Sequence, residues 1–323
     1  MKKDLRPSLM SPKASEHFQY LDPIVLSSIG SLELVARLVV EGFISGLHQS
    51  PYRGFNVEFT EHRPYSPGDE IRHIDWHAYA KVDRFLVKQF EEETNLRAYL
   101  LLDSSRSMGY GGKGRLPKIE YAKVLCASLA YLMLMQRDGV GLVAFSDRVQ
   151  QYVPPRAKAS HFEAITDSLA AGELGQDTRF EPVLAGVAER IRRRGLVMVA
   201  SDLIDEPAVV LKGLRHLRHL KHDLILFHIL DPDEIELPFR GSVRFRDPES
   251  QGELLTDPGR LLEDYQKRIQ AFIQTYRDGA VEIGIDYVLL RTSDPLDRAL
   301  AAYLAGRRSL LAGRRFAPAG TRS

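Results

Sequence analysis

Four runs of apolar residues constrain the fold more than anything else in the chain: LRAYLLLD at 96–103, GVGLVAF at 139–145, LVMVA at 196–200 and DLILFHIL at 223–230. Each has the length of a strand, and none alternates with polar residues as a strand with one wet face would. Continuous apolar runs of this length belong to strands covered on both faces. Helical patterns lie between and beyond them, at Lys118–Gln136, Phe162–Leu169, Glu181–Arg194, Pro207–His219 and Leu261–Tyr276, with a last strand at Ile285–Leu290 and a last helix over 295–304. Such alternation predicts an α/β fold, a mainly parallel sheet with helices on both faces. Val149–Val153, before Pro154 and Pro155, reads as a short edge strand. Val243–Arg246 and Glu253–Thr256 are strand candidates inside an irregular stretch.

The segment ahead of the sheet has another character. Residues 1–18 are polar and expected to be disordered. Residues 19–95 form a helical and then small β-rich segment. Apolar residues recur at helical spacing from Asp22 to about Leu47, and Phe55, Val57 and Phe59 alternate with Asn56, Glu58 and Thr60. A further strand is expected around Phe85–Phe90. The α/β domain takes 96–305, and 306–323 is a basic, flexible tail.

Composition removes several classes. Forty-four basic and 43 acidic residues leave a net charge of +1, which supplies no global attraction to nucleic acid. The single cysteine, Cys126, sits in an apolar helical pattern and excludes a disulfide framework or thiolate metal site. No stretch has the length and apolarity of a membrane span, and the N-terminal residues have no signal-peptide core, so a cytoplasmic protein is expected.

Chemistry gathers at strand ends. The run 96–103 ends in Asp103-Ser104-Ser105-Arg106-Ser107, and the run 196–200 ends in Ser201-Asp202. Asp103 with Ser105 and Ser107 reads either as a capped polar turn or as a set of hard oxygen donors suited to Mg²⁺ or Mn²⁺. Thr178 lies in a loop before a helix. If the first and third strands are neighbours, three hydroxyls and two carboxylates, from Asp103, Ser105, Ser107, Thr178 and Asp202, can surround one cation and leave it a free position. The glycine-rich stretch Gly109–Arg115 is no phosphate loop, because Gly114 stands where Ser or Thr must follow the lysine. Arg63, Tyr65, Asp69, Arg72, Asp75 and Trp76, with Lys81 and Arg84, form either an ion-pair lattice or a recognition face. His62, His73 and His77 have no HExxH pattern or cysteine partner to make a zinc site.

The set Asp103-x-Ser105-x-Ser107 with Thr178 and Asp202 resembles the metal-ion-dependent adhesion site (MIDAS) of von Willebrand factor A domains. That resemblance implies a von Willebrand factor A-like, Rossmann-like sheet. It also implies Mg²⁺ or Mn²⁺ held by these five residues, and a partner's acidic side chain completing the shell. The stretch GFNVEFTEHRPYSPGDEIRHIDWHAYAKVDRFLVKQFEEE, ahead of LLLDSSRSM, is similar to the signature of the bacterial domain-of-unknown-function 58 (DUF58) family through Arg63, Tyr65, Gly68, Asp69, Arg72, Asp75, Trp76 and Glu91. This narrower resemblance implies an adaptor or co-chaperone of a MoxR-type AAA+ ATPase in the assembly or maturation of protein complexes. Many such proteins carry N-terminal membrane helices; this sequence shows none.

Three functions compete. A non-enzymatic, metal-dependent interaction module fits the absence of a nucleophile–base pair, nucleotide loop or paired catalytic carboxylates near the proposed metal. An Mg²⁺-dependent phosphatase or hydrolase would need an aspartate two residues after Asp103, where Ser105 stands and cannot act as a general acid. A nucleic-acid binder is opposed by the balanced charge. The expected reading is the interaction module, with a protein partner and no enzymatic activity.

Overall fold

The computed structural model describes residues 31–49, 62–64, 86–88, 96–175, 179–191, 193–246 and 252–305. The chain divides into two units, Met1–Phe43 with Leu96–Ser323, and Ile44–Asn95. In the second unit, β1 (His62–Pro64) and β2 (Leu86–Lys88) pair antiparallel, with Arg63 opposite Val87. β2 meets the strand expected near residue 85. The expected strand at 55–59 lies outside the described residues, as do residues 1–18 and 306–323.

The first unit holds the sheet. Its elements are α1 (Leu32–Gln49, which runs on past the unit boundary), β3 (Arg97–Asp103), α2 (Lys118–Met135), β4 (Gly139–Phe145), β5 (Val149–Arg156), α3 (His161–Ala171), α4 (Phe180–Arg190), β6 (Leu196–Ser201), α5 (Pro207–His219), β7 (Asp223–Leu230), α6 (Pro232–Glu236), β8 (Val243–Arg246), β9 (Glu253–Thr256), α7 (Pro258–Ile283) and β10 (Asp286–Arg291). A last helical stretch covers residues 297–305. Six strands make one sheet in the order β10-β7-β6-β3-β4-β5, parallel throughout except for the antiparallel pair β4–β5. Numbered in chain order, that is 3-2-1-4-5-6, the doubly wound arrangement that reverses direction beside its first strand. With its third strand antiparallel, it is the von Willebrand factor A-like form of that sheet. β8 and β9 make a separate hairpin.

The apolar runs lack alternation because both faces are covered. On one face Tyr99, Leu101, Val143, Phe145, Val197 and Val199 pack with Phe180, Val183, Leu184 and Val187 of α4, Val210, Leu214 and Leu217 of α5, and Tyr276 and Ala280 of α7. The opposite face receives α2 and α3, which contact β3, β4 and β5. α2 is buried nearly all round, including Cys126, whose thiol burial pushes up to about 12. Arg37 of α1 stacks on the Tyr131 ring of α2.

Some boundaries differ from the sequence reading, each for a local reason. α4 ends at Arg190 instead of Arg194, because Ile191 leaves helical geometry to enter the core. Only Arg190 therefore lies in the last turn, while Arg194 reaches Asp223 at 3.1 Å. β5 runs on through Pro154 and Pro155 to Arg156. As an edge strand it needs no outward donors there, and its register with β4 shifts between Val140 and Leu142. Gly141 faces this irregularity, where a Cβ would lie 2.7 Å from the Val153 carbonyl oxygen. α6 ends inside what reads as irregular sequence, and α7 extends from Pro258 to Ile283, beyond the expected Leu261–Tyr276, with Gly284 closing it at φ 72°.

Leu101 has no exposure at the centre of β3. Leu101→Ala is expected to lower unfolding stability by about 3 kcal/mol, through lost burial and the cavity left behind. Urea titration should show the midpoint shift with an unchanged slope.

Candidate functional site

β3 and β6 are parallel neighbours, in register from Ala98 opposite Leu196 to Leu102 opposite Ala200. They are also the strands between which the winding reverses, and ligands of doubly wound sheets bind outside such a switch point. Asp103 and Asp202 both come to this crevice, and both have no exposure.

The backbone sets each donor. Asp103 Oδ1 accepts from the Ser105 amide (2.9 Å), and Oδ2 accepts from the Ser201 hydroxyl (2.6 Å). Ser104 turns away, its hydroxyl donating to the Phe145 carbonyl at 2.8 Å. A short 3₁₀ turn over Arg106–Gly109 then presents Ser105 and Ser107 on one side, their Oγ atoms 3.1 Å apart. After Asp202 the chain makes a strained turn: Leu203 is left-handed at φ 57°. It is held there by its amide donating to Ser201 Oγ (2.8 Å), by the Tyr276 hydroxyl donating to its carbonyl (2.9 Å) and by complete burial of its side chain. Asp202 Oδ1 accepts from the Ile204 amide (3.2 Å), which fixes the carboxylate's orientation. Asp205 in the same turn accepts from the Phe180 amide at the start of α4 (3.2 Å).

Burial, and then the charge of Asp202, push Asp103 up to about 7, against the opposing hydrogen bonds from Ser201 and Ser105. Two buried carboxylates and two hydroxyls thus converge with electrostatic strain between them. Among the described residues no group of three His, Cys, Asp or Glu side chains is disposed to hold a metal. The donor set here is instead part hydroxyl, and its all-oxygen chemistry fits a hard divalent ion. Asp103, Ser105, Ser107 and Asp202 would hold such an ion, and its charge would relieve the carboxylate repulsion.

Of the residues singled out from sequence, these four come together. Thr178 lies outside the described residues, as do Tyr65, Asp69, Arg72, Asp75 and Trp76, and of Arg63 only its place in β1 is described. The described residues flanking Thr178 are both fastened near this sheet end, the Gly175 amide to the Ser104 carbonyl (2.7 Å) and the Arg179 amide to the Ser146 carbonyl (3.2 Å).

Sequence reasoning missed the charged residues behind the site. Lys118, the first residue of α2, is fully buried, its Nζ 2.7 Å from Asp202 Oδ2 and 2.6 Å from Glu234 Oε1. Burial alone would push this ammonium's pKa down, but Asp202 and Glu234 outweigh it and hold it above its ordinary value. Glu234 Oε2 accepts from the Asp231 amide (2.8 Å), closing a capping box on α6. Asp231 in turn accepts from the Gly112 amide (3.1 Å), from Arg115 Nε (3.1 Å) and Nη2 (2.9 Å), and from Thr292 Oγ1 (2.8 Å). The glycine-rich stretch Gly109–Arg115 is therefore tied to the end of β7. Two signals pointed there: a lysine at a helix start, against the dipole, needs carboxylate partners, and Asp231-Pro-Asp-Glu234 has the spacing of a capping box.

The model of the family described as "Protein of unknown function DUF58" matches residues 61–272. Uncharacterized proteins of Mycobacterium bovis and Mycobacterium tuberculosis are 24% identical over 309 residues, covering 94% of this chain and 96% of theirs. Among solved structures, an aerotolerance-related membrane protein from Bacteroides fragilis is similar at 17% identity and a TM-score of 0.47, covering 66% of this chain and 99% of that one. BatB from Bacteroides thetaiotaomicron, a conserved hypothetical protein, follows at 15% identity and 0.46, with the same coverage. Among the described residues, no helix is long and apolar enough to cross a membrane.

Burial raises the Asp231 pKa, but the Arg115 guanidinium and the Asp233 and Gly112 amides outweigh it and hold the carboxyl below its ordinary value. Its contribution is therefore full above the unfolded carboxylate pKa, about 3.9, and lost as pH falls through the depressed folded value. Urea titrations between pH 5 and 2 should show wild-type stability falling more steeply than that of Asp231→Asn, which is weaker at pH 5.

Proposed function

We propose that this chain, which belongs to the DUF58 family, is a metal-dependent protein-interaction module that acts by binding and not by turnover. The von Willebrand factor A-like fold suggests a protein-interaction role. The observation that carries the metal-dependent reading is the convergence of Asp103, Ser105, Ser107 and Asp202 at the switch point of the sheet. Hydroxyl and carboxylate oxygens favour Mg²⁺ or Mn²⁺. The resemblance to von Willebrand factor A domains adds Thr178 as fifth donor, and Gly175 and Arg179, on either side of it in the chain, are fastened near the same sheet end.

An ion held by two carboxylates and neutral hydroxyls keeps Lewis acidity and a place for one more anionic oxygen. The chain's own part is to hold those side chains rigid: Ser201 and the Ser105 amide orient Asp103, and the Leu203 turn orients Asp202. An acidic side chain of the partner would supply the oxygen that completes the shell. That partner is a MoxR-type AAA+ ATPase, or a client of one, for which the chain serves as adaptor or co-chaperone in complex assembly or maturation. This follows from the association of DUF58 proteins with such ATPases. Arg63, Tyr65, Asp69, Arg72, Asp75 and Trp76, inside or close to the start of the family match, supply a second contact surface.

Affinity capture with the full chain, in Mg²⁺ and in EDTA, tests this reading. A MoxR-type ATPase or its client is expected with wild-type protein in Mg²⁺, with at least about tenfold less recovered in EDTA or with Asp103→Ala, equivalent to about 1.4 kcal/mol. Recovery unchanged by both would exclude metal-dependent binding.

A further inference from the structure

We propose that Lys118 is an internal counter-cation that competes with the divalent ion for Asp202 and keeps the ion's affinity low until a partner's carboxylate adds to the shell. The inference rests on the metal reading of Asp103, Ser105, Ser107 and Asp202, and concerns what sets the strength of that site.

Lys118 is an improbable place for a charge. Its side chain has no exposure, and it begins an 18-residue helix whose dipole disfavours a cation at that end. Among the described residues two carboxylates, Asp202 at 2.7 Å and Glu234 at 2.6 Å, compensate it. Asp202 therefore already serves a cation. A divalent ion drawing on the same carboxylate is repelled by the ammonium and receives a weakened donor.

The charges balance around this group. Asp103, Asp202 and Glu234 carry three negative charges when ionised, and Lys118 returns one, which leaves the two that a single divalent ion neutralises. Without Lys118, the negative charge around the ion would rise from two to three and Asp202 would serve the ion alone, so the ion would bind more firmly. Glu234 completes the device. It gives the ammonium a second partner, so that Lys118 can lean away from Asp202 when the ion arrives without being left unpaired. Because Glu234 also accepts from the Asp231 amide, and Asp231 holds Gly112 and Arg115, that movement bears on the loop carrying the exposed Tyr110.

Mn²⁺ binding to the full chain, followed by the electron paramagnetic resonance of free Mn²⁺ and by titration calorimetry, tests this without reference to any partner. Lys118→Met is expected to bind Mn²⁺ at least about tenfold more tightly than wild type, and Lys118→Arg, which keeps the charge, to stay near it. Glu234→Gln should bind more weakly, because the ammonium then has Asp202 alone. Circular dichroism reports whether Lys118→Met folds. If it does not, the double variant Lys118→Met/Glu234→Gln, which removes both charges of that pair, is expected to bind more tightly than wild type. Equal or weaker binding by a folded protein lacking Lys118 would overturn the proposal and make Lys118 a residue that merely positions Asp202. No binding by wild type or Lys118 variants, or binding indifferent to Asp103→Ala, would overturn the metal reading itself.

Discussion

A carboxylate with no access to water, at the end of the central strand, is the constraint around which this sheet end is arranged. Asp103 can be buried only if its oxygens are met from within the protein, and the partners come from two directions. The chain that follows supplies the Ser105 amide; the neighbouring strand supplies Ser201. The second contribution depends on sheet topology, since only a parallel β6 in register with β3 brings its terminal hydroxyl beside the terminal carboxylate of β3. The strained turn at Leu203 is a further constraint: it re-aims the chain directly after Asp202 and brings the Ile204 amide back onto the Asp202 carboxylate, which fixes that side chain at the strand end.

Behind that pair lies a buried ionic network that has geometric rather than stabilising value. Removing charges from water costs about as much as their pairing returns, so a Lys–Asp–Glu group with an adjoining Arg–Asp pair is a poor way to gain stability. It is a good way to fix positions. Lys118 ties the start of α2 to the ends of β6 and α6, while Arg115 ties the preceding loop to the end of β7. Three connections, those after β3, β6 and β7, are thereby held in one arrangement.

The fold was legible in the sequence where burial alone decides structure. β3, β4, β7 and α5 match their sequence bounds to within a residue, because an uninterrupted apolar run or a proline-started amphipathic stretch has one stable solution. Legibility failed where tertiary demands overrode local pattern. α4 stops early because Ile191 is needed in the core, and β5 tolerates two prolines because its register shifts against β4 there and, among the described residues, no strand pairs on its outer side. At the site, Asp103, Ser105, Ser107 and Asp202 could be named because strand ends concentrate chemistry in such sheets. Lys118 and Glu234 left only weak signals, a lysine at a helix start and the spacing of a capping box, neither of which says that the fold brings the two together across 116 residues.

β5 closes the sheet on one side with a strand that carries Pro154 and Pro155 and slips its register against β4. A foreign strand approaching that border would meet missing amide donors and an uneven hydrogen-bond ladder, so growth of the sheet by accretion, the common route to aggregation and to indiscriminate pairing, is blocked there. Association is thereby steered away from backbone zippering at this border, and toward surfaces that recognise a partner by its side chains.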